Sequence, residues 1–212
     1  MSTDYLITGT GSRVGKTVVG CALGFAFRAR GLRVGVMKPV EVDATDARAL
    51  ALASGCDLPI ELICPCRYRL APSPGEPTPE AELGKINDCF GQISAASDIV
   101  LMESAGGLSQ RLNRDTDFAD LAAALGLEAV VVIANRPGGI DAALDTLGYA
   151  TNRGLTVAGW ILNDAEPVSG PDAPRVALSL CERTELPCLG TMRFKEPLGI
   201  DAVERLLARR KR

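Results

Sequence analysis

Between a short apolar run at residues 5–8 and a helical stretch opening at Lys16, the chain places Gly9-Thr10-Gly11-Ser12-Arg13-Val14-Gly15-Lys16-Thr17. No other segment constrains the fold as much. The glycines let backbone N–H groups curl around phosphate oxygens, and the start of a helix adds partial positive charge. Lys16 supplies a cation, and the Thr17 hydroxyl is a ligand suited to Mg²⁺. The segment reads as a P-loop in which Gly11, Ser12, Arg13, Val14, Gly15, Lys16 and Thr17 hold the phosphates of Mg-ATP. The glycine interval departs from the usual one at Thr10, and the alternative is a chance glycine-rich turn.

The pattern that follows alternates strand and helix. Residues 33–38 read as a second strand closed by Pro39, and Thr45 or Asp46 is placed to cap a helix through Ser54. Further strand-like runs lie at 99–102, 129–134, 155–162 and 188–192, and helical patterns at 16–30, 79–96, 118–125, 140–152 and 174–183. This argues for an α/β fold of the P-loop NTPase type, a doubly wound and mainly parallel sheet covered on both faces. The 212 residues, 47% of them hydrophobic, suit one domain spanning 1–212, since domains average about 100 to 200 residues. In such sheets ligands sit at the carboxyl ends of strands. Three runs here end in chemically useful residues: Thr8-Gly9, Lys38 and Glu103. The proline-rich loop at 72–79, with Ser73, Gly75 and Glu76, either covers a substrate or connects elements.

Charge narrows the partners. A formal net charge of −3 with mixed signs points to neither nucleic acid nor a membrane surface as the main ligand. Arg209, Arg210, Lys211 and Arg212 read as a solvated helix end. The seven cysteines are odd in number and accompany no histidine, which removes the mixed Cys/His zinc patterns. Cys64-Pro65-Cys66 has no second pair at zinc-finger spacing, so the thiols read as small, reduced, apolar groups in a cytoplasmic protein. No apolar run approaches the roughly 18 residues that cross a bilayer.

Glu103 ends an apolar strand, where an acid beside a P-loop holds a metal or its water. Its alternative is a helix cap or surface acid. Lys38 should emerge at the same rim as the P-loop, and two lysines there would stabilise charge that grows as a phosphoryl group transfers. Taken alone, a lysine at a strand end is more often solvated. Asp46 alone reads as an acid favourable to a helix N-terminus.

Taken together these motifs resemble the dethiobiotin synthetase family. The matching residues run in order: Gly9-Thr10 with Val14-Gly15-Lys16-Thr17, Lys38-Pro39-Val40, Asp46-Ala47 with Ala49-Leu50, and Glu103 with Ala105-Gly106-Gly107. They continue with Asp115-Thr116, Phe118-Ala119-Asp120, Gly154-Leu155, Ala158-Gly159-Trp160 and Asn163-Asp164, so the likeness covers nearly the whole chain.

The resemblance implies a homodimeric ATP-dependent cyclo-ligase that turns 7,8-diaminopelargonic acid, CO₂ and ATP into dethiobiotin, ADP and phosphate. One amine is carbamylated, ATP phosphorylates the carbamate, and the second amine closes a cyclic urea. On matching positions, Lys16 and Lys38 stabilise carbamate and phosphoryl charge, and Thr17, Asp46 and Glu103 hold Mg²⁺. Asn163 contacts the adenine, with Pro187 and Gly190 in a second adenine-contacting segment. The acceptor would meet Ser12, Val42, Ser73 and the turn Gly138-Gly139-Ile140-Asp141.

Departures from the family pattern gather on the acceptor side. Gly11-Ser12 replaces Asp-Thr, Val42 a serine, Gly75 a histidine, and Asp141-Ala142 an Asn-His pair. Asp141 either sits near an anion bound at the turn or caps a helix and faces solvent. Two further readings stay open: a paralogue acting on another amine or carboxylate, and a ParA-like or MinD-like ATP switch. Against the switch, Arg13 stands where that group has its signature lysine.

Overall fold

The computed structural model describes residues 4–68, 80–165, 172–196 and 198–209. Short apolar runs rich in Val, Ile and Leu form the principal strands: β1 (Tyr5–Gly9), β2 (Val34–Met37), β5 (Ile99–Glu103), β6 (Glu128–Ala134), β7 (Val157–Asn163) and β8 (Cys188–Met192). They make a six-stranded sheet in the order β2-β5-β1-β6-β7-β8. Every pairing in it is parallel. Two short strands, β3 (Val40–Glu41) and β4 (Cys66–Arg67), pair with each other outside it.

Parallel strands need crossovers, and the helices supply them: α1 (Lys16–Arg28), α2 (Thr45–Ser54), α3 (Ile60–Ile63), α4 (Leu83–Ala96), α5 (Phe118–Ala124), α6 (Gly139–Asn152), α7 (Ala173–Arg183) and α8 (Ile200–Arg209). Successive strand residues point to opposite faces, so the sheet has two cores. Tyr5, Ile7, Val130 and Val132 pack with Val19, Leu23 and Phe27 of α1, Leu50 of α2 and Leu206 of α8. Leu6, Val131 and Ile133 pack on the other face with Ile86, Phe90 and Ile93 of α4 and with Leu147 of α6. Burying each such side chain contributes about 1.5–3 kcal/mol before chain entropy is counted. The Tyr5 hydroxyl also donates to the Leu206 carbonyl at 2.8 Å, fastening α8 beneath β1.

The structure departs from the sequence pattern in instructive places. The helix expected over 79–96 starts at Leu83, because the Ala81 N–H is held by the Leu112 carbonyl at 2.7 Å in a non-helical segment. The strand expected at 155–162 starts at Val157, since the Leu155 N–H closes the end of α6 on the Ala150 carbonyl. Neither Thr45 nor Asp46 is the N-cap of α2; that position is Ala44, at φ 60°. Glu41 does the capping from outside the helix, accepting the Asp46 N–H at 2.7 Å and the Ala47 N–H at 3.1 Å. The seven cysteines are all free thiols. Arg209 ends α8 as expected, although it also pairs with Glu128 at 2.6 Å.

Candidate active site

The P-loop leaves the carboxyl end of β1, where the Thr10 N–H donates to the Val132 carbonyl of β6 at 3.1 Å. Left-handed backbone at Arg13 (φ 56°) and Gly15 (φ 92°) curls the loop back toward α1. A side chain at Gly15 is doubly disfavoured, by that φ and because a Cβ there would lie 2.1 Å from Asn163 Nδ2. Asn163, buried at the end of β7, uses this nitrogen to donate to the Val14 carbonyl at 2.8 Å. Lys16 folds over the loop and donates to the Gly11 carbonyl at 3.0 Å. Burial, and then the nearby Lys38 charge, lower the Lys16 pKa, against the opposing pull of Glu103 and Asp46.

Beside the loop, strand and helix ends bring four further side chains together. The Thr17 hydroxyl, at the start of α1, donates to Glu103 Oε1 at the end of β5, 2.9 Å away. Lys38, just after β2, donates to the same Glu103 oxygen at 2.5 Å and to Asp46 Oδ2 at 3.0 Å. Lys38 is 2% exposed and Glu103 1%. Burial alone would favour the neutral amine, but the charges and hydrogen bonds of Glu103 and then Asp46 outweigh it and hold the Lys38 pKa above the ordinary lysine value. Burial raises the Glu103 pKa as well, against the opposing pull of Lys38 and the Thr17 hydroxyl.

The same oxygens suit a hard cation. Thr17, Asp46 and Glu103 offer a hydroxyl and two carboxylates, and Glu103 Oε2 is buried with no hydrogen-bond partner among the described residues. No group of three or more acidic, cysteine or histidine ligands occurs among the described residues. Mg²⁺ needs no such cage, because it is commonly held by one or two carboxylates together with waters and substrate phosphates. The residues present fit that ion.

A cavity of about 240 Å³ opens beside Lys38, and no P-loop residue lines it. Val42, Asp46, Tyr68, Arg111 and Leu112 help to line it. Three expected residues thus share one cavity, Lys38, Val42 and Asp46, while Ser12 stays on the exposed P-loop. Ser73 lies outside the described residues. Gly138, Gly139, Ile140 and Asp141 begin α6 after β6, which lies across β1 from the strand ends around Lys38, and none of them lines this cavity.

Two expectations need correction. Asp141 is not the N-cap of α6; that residue is Gly138, at φ 78°, and Asp141 lies exposed in the first turn. Pro187 precedes β8, so parallel pairing puts it at the rim opposite the P-loop, where its carbonyl accepts the Trp160 N–H at 3.1 Å. Gly190 lies within β8, opposite Ile161 of β7. Neither stands at the carboxyl rim of the sheet, where the adenine-contacting segment was expected.

Sequence reasoning also missed Tyr68, Gln110, Arg111 and Leu112 as cavity residues and Glu41 as the cap behind Asp46. The discernible signal was Arg111, a cation a few residues after the glycine turn at 106–107.

Comparison with known proteins agrees with this architecture. The AAA domain family matches residues 3–200. An ATP-dependent dethiobiotin synthetase BioD from Anaeromyxobacter dehalogenans (strain 2CP-C) is 35% identical over 215 residues, covering 97% of this chain and 92% of that protein. Its namesake from Anaeromyxobacter sp. (strain K) gives the same identity and coverage.

Among solved structures, the MinD cell division protein of Aquifex aeolicus superposes with a TM-score of 0.59 at 13% identity, covering 97% of each chain. Hydrogenase maturation factor HypB from Archaeoglobus fulgidus does so at 0.59 and 16%, covering 99% of this chain and 89% of its own. The signal recognition particle receptor FtsY from Elizabethkingia anophelis reaches 0.58 at 14%, with 97% of this chain matched to 65% of the receptor. At such identities these structures share the fold alone, a parallel sheet of the P-loop NTPase type with flanking helices. With the AAA domain family matching most of the sequence and BioD relatives 35% identical nearly end to end, the chain belongs to the family of ATP-dependent dethiobiotin synthetases.

Proposed function

We propose that the protein is an ATP-dependent ligase of biotin synthesis that converts 7,8-diaminopelargonic acid, CO₂ and Mg-ATP into dethiobiotin, ADP and phosphate. The observation that carries this reading is the position of Lys38. It lines the acceptor cavity, yet it bonds Glu103, which also accepts the Thr17 hydroxyl beside the P-loop. A phosphoryl group passing from nucleotide to acceptor has to cross between those two places.

In the proposed reaction one amine attacks CO₂ and loses a proton, giving a carbamate in the cavity. A carbamate oxygen then bonds to the γ-phosphorus as the bond to ADP breaks. The second amine attacks the carbamoyl carbon, phosphate departs with the electron pair of the C–O bond, and loss of a proton leaves the cyclic urea. Lys16 and Lys38 stabilise oxygen charge that is greater in the transition state than in the ground state, which is the condition for accelerating the step. Burial of Lys38 and Glu103 keeps water from competing for that charge. Thr17, Asp46 and Glu103 would hold Mg²⁺, whose chemistry is to neutralise phosphate charge. Asn163, already against the P-loop, is assigned to the base.

In its own chain the 138–141 turn lies across β1 from this cavity. A contact between that turn and the acceptor therefore calls for a second chain, and a homodimer is part of the proposal. The exposed Val42 at the cavity wall supports a second reading, a family member whose acceptor differs from diaminopelargonic acid.

Purified protein given Mg-ATP, bicarbonate and diaminopelargonic acid should release phosphate and yield dethiobiotin by mass spectrometry, with Lys16→Ala inactive. ATP binding without dethiobiotin would reject this acceptor and leave the second reading.

A further inference from the structure

Helix α2 brings Asp46 to Lys38, although its N-cap, Ala44, offers no side-chain acceptor and sits in left-handed backbone at φ 60°. The first amides of a helix have no partner within it and need acceptors from outside. Asp43 accepts the Thr45 N–H at 3.1 Å. The next two amides go to one carboxylate: Glu41 Oε1 accepts the Asp46 N–H at 2.7 Å, and Oε2 accepts the Ala47 N–H at 3.1 Å.

Glu41 is itself fixed. It lies in β3 opposite Arg67 of β4, and its carbonyl accepts the Tyr68 N–H at 2.8 Å. The Pro39 carbonyl accepts the Cys66 N–H at 3.1 Å, and the Lys38 N–H donates to the Ile63 carbonyl at 2.8 Å. The small two-stranded sheet thus anchors residues 38–41. A ring closes on this anchor: Lys38 Nζ to Asp46 Oδ2 at 3.0 Å, the Asp46 N–H to Glu41, and Glu41 back through Val40 and Pro39 to Lys38. The Asp46 side chain is 41% exposed, so packing alone leaves its direction open and the ring supplies it.

We propose that Glu41 is a positioning residue for phosphoryl transfer, holding the first turn of α2 so that the Asp46 carboxylate meets Lys38 and can hold Mg²⁺. The proposal rests on the reading above, in which Asp46 and Lys38 serve that step. Glu41 acts through Asp46, because both of its own oxygens are occupied by amides. Removing a partner that orients a metal-binding carboxylate typically changes metal affinity or activity about 10- to 100-fold.

Side-chain chemistry sets the order of effects. Gln has the reach of Glu but a single acceptor oxygen, and its amide nitrogen would oppose the second N–H. Asp has both oxygens but is one methylene shorter, and Ala has neither.

The test measures, by electron paramagnetic resonance, the Mn²⁺ affinity of the protein bound to a non-hydrolysable ATP analogue, in wild type, Glu41→Gln, Glu41→Asp and Glu41→Ala. Glu41→Ala is expected to bind Mn²⁺ about 10- to 100-fold more weakly and to lose kcat by a similar factor. Glu41→Asp should resemble it, and Glu41→Gln should recover part of both. Affinity for the analogue without metal should stay within about threefold, since the P-loop is built elsewhere. In turnover the loss should fall on kcat rather than on KM for the acceptor. Ala44→Gly, which accommodates the left-handed backbone, is combined with Glu41→Ala to restore stability, and the metal affinity of that double variant should remain low.

Unchanged Mn²⁺ affinity in Glu41→Ala, its recovery by Ala44→Gly, or equal losses in metal and metal-free binding would each overturn the positioning role. Variants that follow the expected order of metal affinity in a protein that makes no dethiobiotin would instead overturn the proposed reaction and leave the role of Glu41 standing.

Discussion

Asn163 Nδ2 donates to the Val14 carbonyl at 2.8 Å across 149 residues of sequence, joining the end of β7 to the phosphate loop. Both partners are buried, so removing the amide strands a carbonyl away from water. Asn163→Ala is expected to destabilise the fold by about 1–3 kcal/mol, the usual cost of a buried group left unsatisfied. It should also weaken ATP binding by loosening the loop. Urea unfolding and nucleotide titration on one preparation test both effects; unchanged values would show that the loop holds its shape unaided.

Lys38 and Glu103 predict a separation of stability from activity. Lys38→Met leaves the Glu103 carboxylate buried without its counter-ion, and breaking a buried pair from one side costs about 3–5 kcal/mol. The double variant Lys38→Met with Glu103→Gln removes both charges and should recover most of that stability while remaining inactive. Equal stability of the single and double variants in denaturant melts would show that the pair is not coupled.

The thiols give a pH signature. Burial, then Glu103 and Asp46, push Cys21 up to about 11. Burial and then Glu41 push Cys64 up to about 12, and burial raises Tyr68 to about 12. At pH 8 the thiolate fraction is about one in a thousand at Cys21 and one in ten thousand at Cys64. Iodoacetamide at pH 8 should therefore label the exposed Cys181 well before either, as read by peptide mass spectrometry.

For such groups the folded protein binds the proton more tightly than the unfolded chain does. Their contribution to stability is thus fully present below about pH 9, the ordinary thiol range, and falls as pH rises toward about 12. Urea midpoints that stay flat across pH 9–11.5 would contradict it.

Two glycine substitutions should diverge. A Cβ at Gly106 meets Gln110 Oε1 at 2.3 Å, the movable end of a side chain that lines the cavity. A Cβ at Gly139 meets the Ala134 backbone carbonyl at 2.5 Å, which cannot step aside. Gly106→Ala should keep its ATP affinity and melting temperature and raise the acceptor KM. Gly139→Ala should lose about 1–3 kcal/mol of stability as the start of α6 shifts. Similar melting temperatures for the two variants would count against this reading.

The phosphate half of the site was the legible half. Its parts are contiguous from Gly9 to Thr17, or lie at the ends of strands such as Ile99–Glu103 whose apolar pattern marks where they stop. The parallel sheet was equally visible, because strands buried on both faces read as uninterrupted apolar runs. β3 and β4 were not visible, since strands of two residues carry no period. The Glu41 cap was hidden because it comes from before the helix and across a turn, outside the usual N-cap position. Pro187 was misplaced for a different reason: a motif near a strand does not say which rim it occupies, and pairing decided that. The cavity beside Lys38 is built largely by irregular segments around Tyr68 and Gln110-Arg111-Leu112, where hydrogen bonds between loops set the geometry and sequence pattern gives little guidance.

Strand order has a consequence for how the protein comes into being. β5 lies between β1 and β2, and these two first-made strands of the sheet do not touch each other. A nascent chain that has released α1 and both strands still lacks the ribbon that joins them. It must wait for residues 99–103 to clear the ribosome, at synthesis rates of roughly 5–20 residues per second. Until then the apolar faces of β1 and β2 stand open to chaperones, and Thr17 and Lys38 have no Glu103 to meet. A synonymous-codon pause placed before β5 would lengthen that exposure, whereas one placed after β6 would find β1 already flanked on both sides.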